Sequence, residues 1–229
     1  MSGIDVALGI IFDCDGVLVD SERQSLASWP PVLARHGVLA GIEQIEPFIG
    51  KSDQSVLDHF RRVANVPLGD ELLEERQAEY FRMARGNLRA FPGLVAVLAQ
   101  LRAQGVPVAV ASSGRPQKIQ FNLEQSRLTE FFDVVVSSVE VERGKPAPDL
   151  FLLAARRLGL APEQCAVVED SIFGLQAARS AKMRALGYTS SFPAAVLRDA
   201  GAHDVFDDYG ALLPLLRMGG SDAAHPGRE

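Results

Sequence analysis

Apolar positions along the chain fall into two rhythms. Residues 6–12 are apolar apart from Gly9, and they give way abruptly to Asp13, Asp15 and Gly16. A run of that length and β-branched content predicts a buried strand. Beyond it the spacing turns helical for about seventy residues. Ser21 and Glu22 can open a helix, which Pro30–Pro31 must kink or restart. Residues 41–49, 52–63 and 70–85 predict further helices. In the last, Leu73, Tyr80 and Ala84 mark one face, while Glu74, Glu75, Glu79 and Arg82 carry charge. Proline and glycine at Arg89-Ala90-Phe91-Pro92-Gly93 end this stretch, which has the look of a separate small domain.

From Gly93 on, helix and strand alternate, and that order implies a parallel sheet. Leu94, Val97, Leu98 and Leu101 keep the spacing of a helix facing a core. Strands are predicted at 106–111, 133–137 and 165–168, with weaker candidates at 184–187 and 204–206. Residues 117–125 predict a helix. Phe151, Leu152, Ala155 and Leu158 mark the next, and Ile172, Leu175, Ala178 and Ala181 the one after. Residues 218–229 are glycine-rich and polar, a tail expected to fray. The chain contains no internal repeat.

Chemistry gathers where strands end. Side chains alternate along a strand, so Asp13 and Asp15 can project to one side, and Gly16 lets the backbone turn away. Two carboxylates that close repel, and hard oxygen ligands of this kind suit Mg²⁺. Asp-x-Asp-Gly also suits an ordinary turn, whereas an EF-hand would need later ligands that are missing. Ser112-Ser113-Gly114 follows a strand and precedes a helix, a position for phosphate or for a simple cap. In Gly144-Lys145-Pro146-Ala147-Pro148-Asp149 two prolines restrict the backbone that carries Lys145, and Asp149 is placed to cap the next helix. Glu169-Asp170 repeats the pattern of Asp13, with acids released at the end of an apolar strand.

Composition narrows the classes. At 229 residues the chain suits one large or two modest domains. A net charge of −6 argues against a nucleic-acid binder. Residues 1–5 do not resemble a secretory signal, no apolar run approaches a membrane span, and a cytoplasmic location is expected. Cys14 and Cys165 both fall near buried strands, so small inert core residues are expected rather than a disulfide.

Taken in order, these junctions resemble a known family. Phe12-Asp13-Cys14-Asp15-Gly16-Val17-Leu18-Val19-Asp20-Ser21-Glu22 is similar to the first motif of haloacid dehalogenase superfamily phosphohydrolases. Ser112, Lys145 in Gly-Lys-Pro-Ala-Pro-Asp, and Glu169-Asp170-Ser171 resemble the second to fourth. The helical stretch resembles the cap of the branch containing phosphoglycolate phosphatase and beta-phosphoglucomutase. The likeness spans residues 8 to 216. It implies an α/β fold: a Rossmann-like parallel core over 1–20 and 91–229, with an all-helical cap at 21–90. It also implies that Asp13 is a nucleophile and Asp15 an acid and base. Mg²⁺ would be held by the Asp13 carboxylate, the backbone carbonyl of Asp15 and Asp170, with Glu169 close behind or coordinating through water. Ser112, the amides of Ser113 and Gly114, and Lys145 would hold phosphoryl oxygens. Lys51 and Arg115 are candidates to meet the leaving group, though each also suits a solvated surface.

The implied reaction is hydrolysis of a small phosphomonoester, a sugar phosphate or something like phosphoglycolate, by a monomer. Two alternatives stand beside it, a phosphomutase and a non-catalytic phosphometabolite-binding module. Beta-phosphoglucomutases carry a histidine after the first motif and a Lys-Gly-x-Ser-Arg stretch in the cap. Here the corresponding positions hold Ser25, Ile49 and Asp53, which disfavours the mutase.

Overall fold

A computed structural model of the protein describes residues 9–218. The predicted strand over 6–12 is present from Gly9, its first three residues lying outside the described part, as does the tail beyond Met218. Strands β1 (Gly9–Phe12), β2 (Val108–Ser112), β3 (Val134–Ser137), β4 (Cys165–Glu169), β5 (Arg184–Tyr188) and β6 (Asp204–Phe206) form one sheet. Every pairing is parallel, in the order β3-β2-β1-β4-β5-β6. The chain builds outward from β1 to β3, then crosses back to start β4 on the other side of β1. Such a reversal opens a crevice at the carboxyl ends of the central strands.

Strand alternation sorts the core into two layers. Ile10, Phe12, Val110, Ala166, Val168 and Leu186 face one side, and Ile11, Ala109, Ala111, Val136, Val167 and Ala185 face the other. Because both faces are covered, the strands read as nearly continuous apolar runs.

Between β1 and the rest of the sheet the chain makes α1 (Glu22–Ala27), α2 (Trp29–Arg35), α3 (Asp53–Val63) and α4 (Glu71–Ala84). Pro30 and Pro31 restart the helix, since α2 begins beside them, where a missing N–H costs nothing. The helix expected over 41–49 is instead two single 3₁₀ turns, Ile42–Gln44 and Glu46–Phe48. Pro47 removes the donor that would have joined them. This insertion has its own apolar cluster, with Trp29, Leu33, Leu57, Phe60 and Leu72 at its centre. Its two ends meet in an antiparallel bridge between Val19 and Ala90.

The sheet's first face is covered by α5 (Leu94–Ala103), α6 (Pro116–Gln125) and the later α10 (Leu212–Met218). The second face carries α7 (Asp149–Leu158), α8 (Ile172–Ser180) and α9 (Ala194–Asp199). The buried face of α7 is Leu150, Phe151, Ala154 and Ala155, one position off the expected stripe at Leu152 and Leu158. Asp149 does not cap α7: it is the first helical residue, and its carboxylate takes the Arg143 guanidinium at 2.8 Å. No described helix is long and apolar enough to cross a membrane.

Candidate active site

β1 delivers Asp13 to the crevice. Its N–H donates to the Val168 carbonyl at 3.0 Å, which carries the ladder one residue beyond the strand. Lys145 Nζ stands between two carboxylates, donating to Asp13 Oδ1 and to Glu169 Oε1 at 2.5 Å each. All three side chains are buried. Burial raises the Asp13 pKa, Lys145 pulls it down and Glu169 pushes it up, leaving it at about 7. Asp170 is raised well above the carboxylate range by burial and then by Glu169 and Asp13.

Glu169 is fixed from every side. Its Oε2 accepts from the Asp170 and Ser171 N–H groups at 3.1 and 3.0 Å and from the Ser171 hydroxyl at 2.9 Å. Ser171 Oγ in turn caps α8 by accepting from Gly174 N–H. Both Glu169 oxygens thus accept hydrogen bonds, Oε1 from Lys145 and Oε2 from Asp170 and Ser171. Asp170 is less enclosed, and it meets the hydroxyls of Ser190 and Ser191, which follow β5. Ser191 also reaches Glu22 of α1.

The Asp15 carboxylate points elsewhere. Oδ2 accepts from Lys118 Nζ at 2.8 Å, and Oδ1 from Asn122 Nδ2 at 3.0 Å and from the Ser21 hydroxyl. Burial opposes ionisation, but the Lys118 charge and these hydrogen bonds outweigh it, so the pKa lies below its ordinary value. Lys118 and Asn122 are buried on α6, and neither stands out in the sequence. Their one signal is an i, i+4 pair of polar residues among the apolar ones of that helix.

The remaining expected residues divide. Ser112, Ser113, Gly114 and Lys51 line the same cavity as Asp13, Asp15, Gly16 and Asp170. Ser112 Oγ accepts from Gly114 N–H at 3.1 Å, which tightens the loop. Ser113 donates to the Gly50 carbonyl at 3.0 Å, tying core to insertion. Arg115 is not in this cavity: it lines a separate groove with Glu74, Phe81 and Val139. Arg115 is the extended residue just before α6, and the groove it lines runs between α4 and the start of α6. Cys14 is fully buried and unpaired, and burial holds its thiol well above the ordinary pKa.

Two glycines let the walls approach. Gly16 has φ +75° and Gly50 φ +83°, a region L side chains rarely adopt. A Cβ on Gly16 would lie 1.9 Å from Asp170 Oδ2, and one on Gly50 2.4 Å from Ser171 Oγ.

A divalent cation fits this centre. Asp13, Glu169 and Asp170 each offer an oxygen within 4.8 Å of the others. Three carboxyl groups face one ammonium, so ionising all three without a cation would leave two negative charges unbalanced in a buried place. One Ser191 proton cannot serve both Asp170 and Glu22. All-oxygen ligation suits Mg²⁺. The Asp15 carboxylate belongs to the Lys118 network rather than to this set, leaving only its backbone carbonyl for a metal.

These features define a Rossmann-like α/β enzyme with a carboxylate centre at the sheet's switch point. A family model described as haloacid dehalogenase-like hydrolase matches residues 8–182, and the chain belongs to that family. It is 34% identical over 220 residues to protein SUPPRESSOR OF QUENCHING 1, chloroplastic, of Arabidopsis thaliana, covering 93% of this chain but only 21% of that protein. It is 33% identical over 179 residues to a fructose-1-phosphate phosphatase of Escherichia coli, covering 78% of this chain and 94% of that one. A crystal structure of a hydrolase from Pseudomonas syringae superposes with a TM-score of 0.80 at 31% identity, covering 91% of this chain and 97% of that chain.

Proposed function

We propose that the chain is a Mg²⁺-dependent phosphatase that hydrolyses small phosphomonoesters through an aspartyl-phosphate. It is a phosphoric monoester hydrolase in which Asp13 is the nucleophile and Asp15 the acid and base. One observation carries this reading: a buried Asp13 braced by Lys145 and facing Asp170, with a second, separately held aspartate two residues away.

In the first half-reaction an Asp13 oxygen bonds to phosphorus as the ester P–O bond breaks, and Asp15 protonates the departing oxygen. The entering ester can bring that proton, since phosphomonoesters lose their second proton only near pH ~6. In the second half, Asp15 takes a proton from water, the hydroxide attacks phosphorus, and phosphate leaves Asp13 free. The anionic form that Lys118, Asn122 and Ser21 favour is the one this second step requires. Lys145 and the Ser112–Gly114 loop balance charge on the phosphoryl oxygens, the main task in such transfers. Asp13 and Asp170 would hold Mg²⁺, which when bound supplies positive charge opposite the phosphoryl group. Residues 21–90 act as a cap, closing over the site through Ser113 and Gly50 and choosing the leaving group.

A screen of small phosphomonoesters with Mg²⁺, following free phosphate, tests the proposal. Phosphate release that stops in excess chelator and in Asp13→Asn is expected. Activity that survives either would refute it.

A further inference from the structure

We propose that the insertion's wall of this cavity selects a neutral, polyhydroxylated leaving group, and that Asp53, braced by Arg76, reads its hydroxyls. The inference rests on the phosphatase reading above and deepens it.

The insertion brings Glu22, Ser25, Trp29, Phe48, Lys51 and Asp53 to the cavity. Behind them lies Arg76, on α4 and fully buried. Its Nη1 donates to Asp53 Oδ2 at 2.8 Å and its Nη2 to Ser25 Oγ at 2.6 Å. The guanidinium stands 5.4 Å from the ring centres of both Trp29 and Tyr80. One buried arginine therefore fixes two residues of the wall. It does not itself line the cavity, so it orients Asp53 without offering its charge to a ligand.

The charges on this wall balance. Glu22 and Asp53 are opposed by Lys51 and by Arg76 behind. A second anionic group on the substrate would meet two carboxylates with only Lys51 to favour it. Lys51 Nζ lies 4.2 Å from the Phe173 ring centre, already over an aromatic face. A cationic group would meet Lys51 in turn. A neutral group suffers neither repulsion.

What the wall does offer is acceptors and a flat apolar face. Asp53 Oδ1 has no hydrogen-bond partner among the described residues. Its side chain is 19% exposed in a cavity, so the free oxygen is accessible. Alcohol O–H groups donating to a carboxylate make charge-assisted bonds, stronger than neutral ones. Phe48, half-buried in the same lining, offers an apolar ring to the C–H faces of a carbon chain or sugar ring. Acceptors beside an aromatic face are the chemistry of polyol recognition.

The test compares kcat/KM of the Mg²⁺-loaded wild type for sorbitol 6-phosphate, fructose 1-phosphate, phosphoglycolate and phosphoethanolamine. The two polyhydroxylated esters should lead both others by about tenfold or more, the worth of one hydrogen bond to a charged group. In Asp53→Asn the ratio of sorbitol 6-phosphate to phosphoglycolate should fall by a similar factor. A purely structural role would lower both substrates alike and leave the ratio fixed. Should Asp53→Asn not fold, the double variant Asp53→Asn/Arg76→Met removes both charges and should show the same fall. Phosphoglycolate or phosphoethanolamine as the better substrate, or an unchanged ratio in a folded variant, overturns the inference while leaving a phosphatase. No turnover of any ester takes down the phosphatase reading and the inference with it.

Discussion

Lys118 donates to the Asp15 carboxylate at 2.8 Å, and the same ammonium lies 4.8 Å from the centre of the Tyr80 ring. Tyr80 donates to Asn122 at 2.7 Å, and Asn122 donates to Asp15. The insertion's α4 thus reaches Asp15 through two hydrogen bonds. Lys118 is the charge that keeps Asp15 anionic, so its loss favours the protonated acid. Lys118→Met should leave ester cleavage able to proceed while slowing the attack of water, by about 10²-fold within the range general-base catalysis spans. Rapid-quench measurement should show a burst of alcohol followed by slow phosphate release. Equal slowing of both products would refute this assignment.

Asp13→Asn should fold and bind yet lose turnover, since an amide is nearly isosteric but does not serve as the nucleophile. Asp15→Asn should lose about 10²–10⁴-fold, the usual worth of positioned proton transfer. Thermal melting checks the fold and steady-state kinetics the rate. An Asp13→Asn protein free of deamidated material and near the wild-type rate would contradict the proposed roles.

Stability should depend on pH and on metal together. Asp13 has a pKa of about 7 in the folded chain against an ordinary 3.8, and Asp170 is also raised. The folded state therefore binds more protons than the unfolded one across that window. Stability of the metal-free protein must fall as pH rises through it. A cation relieves the ionised carboxylates, so the Tm increase on adding Mg²⁺ should be larger at about pH 8 than at about pH 5. Scanning calorimetry at both values decides it, and a larger shift at acid pH would be inconsistent with cation binding at these carboxylates.

Gly50→Ala should cost about 1–2 kcal/mol for the left-handed backbone alone. The added methyl also meets Ser171, which caps α8 and bonds Glu169. A fall in kcat beyond the fall in Tm is expected, because Glu169 positions Lys145. A variant with unchanged kcat would disconnect the loop from the centre.

Much of this was legible in the chain. β1 announces itself because an apolar run ends in two aspartates, and β4 does the same with Glu169 and Asp170. Local signals of that kind survive without knowledge of the fold. The Lys118–Asn122 pair does not, because its partner lies over a hundred residues away and its helix has an ordinary pattern. Arg76 was hidden for a related reason: an arginine on a charged helix reads as solvated, and only packing by Trp29 and Tyr80 shows it buried. Ser190 and Ser191 follow a strand too weakly patterned to draw attention. Pro47 turned an expected helix into two turns, a backbone effect that apolar spacing alone does not register.

The bridge between Val19 and Ala90 has a further consequence. Both ends of the insertion leave the sheet side by side, joined by Asp20 N–H to the Arg89 carbonyl at 3.4 Å and Phe91 N–H to the Leu18 carbonyl at 3.2 Å. A graft of any length or shape would start and finish at the same two anchors. The anchors leave the helical stretch free to lengthen or shorten without displacing β1, but any replacement would still have to meet Asn122, Ser113 and Ser191 where Tyr80, Gly50 and Glu22 now touch them.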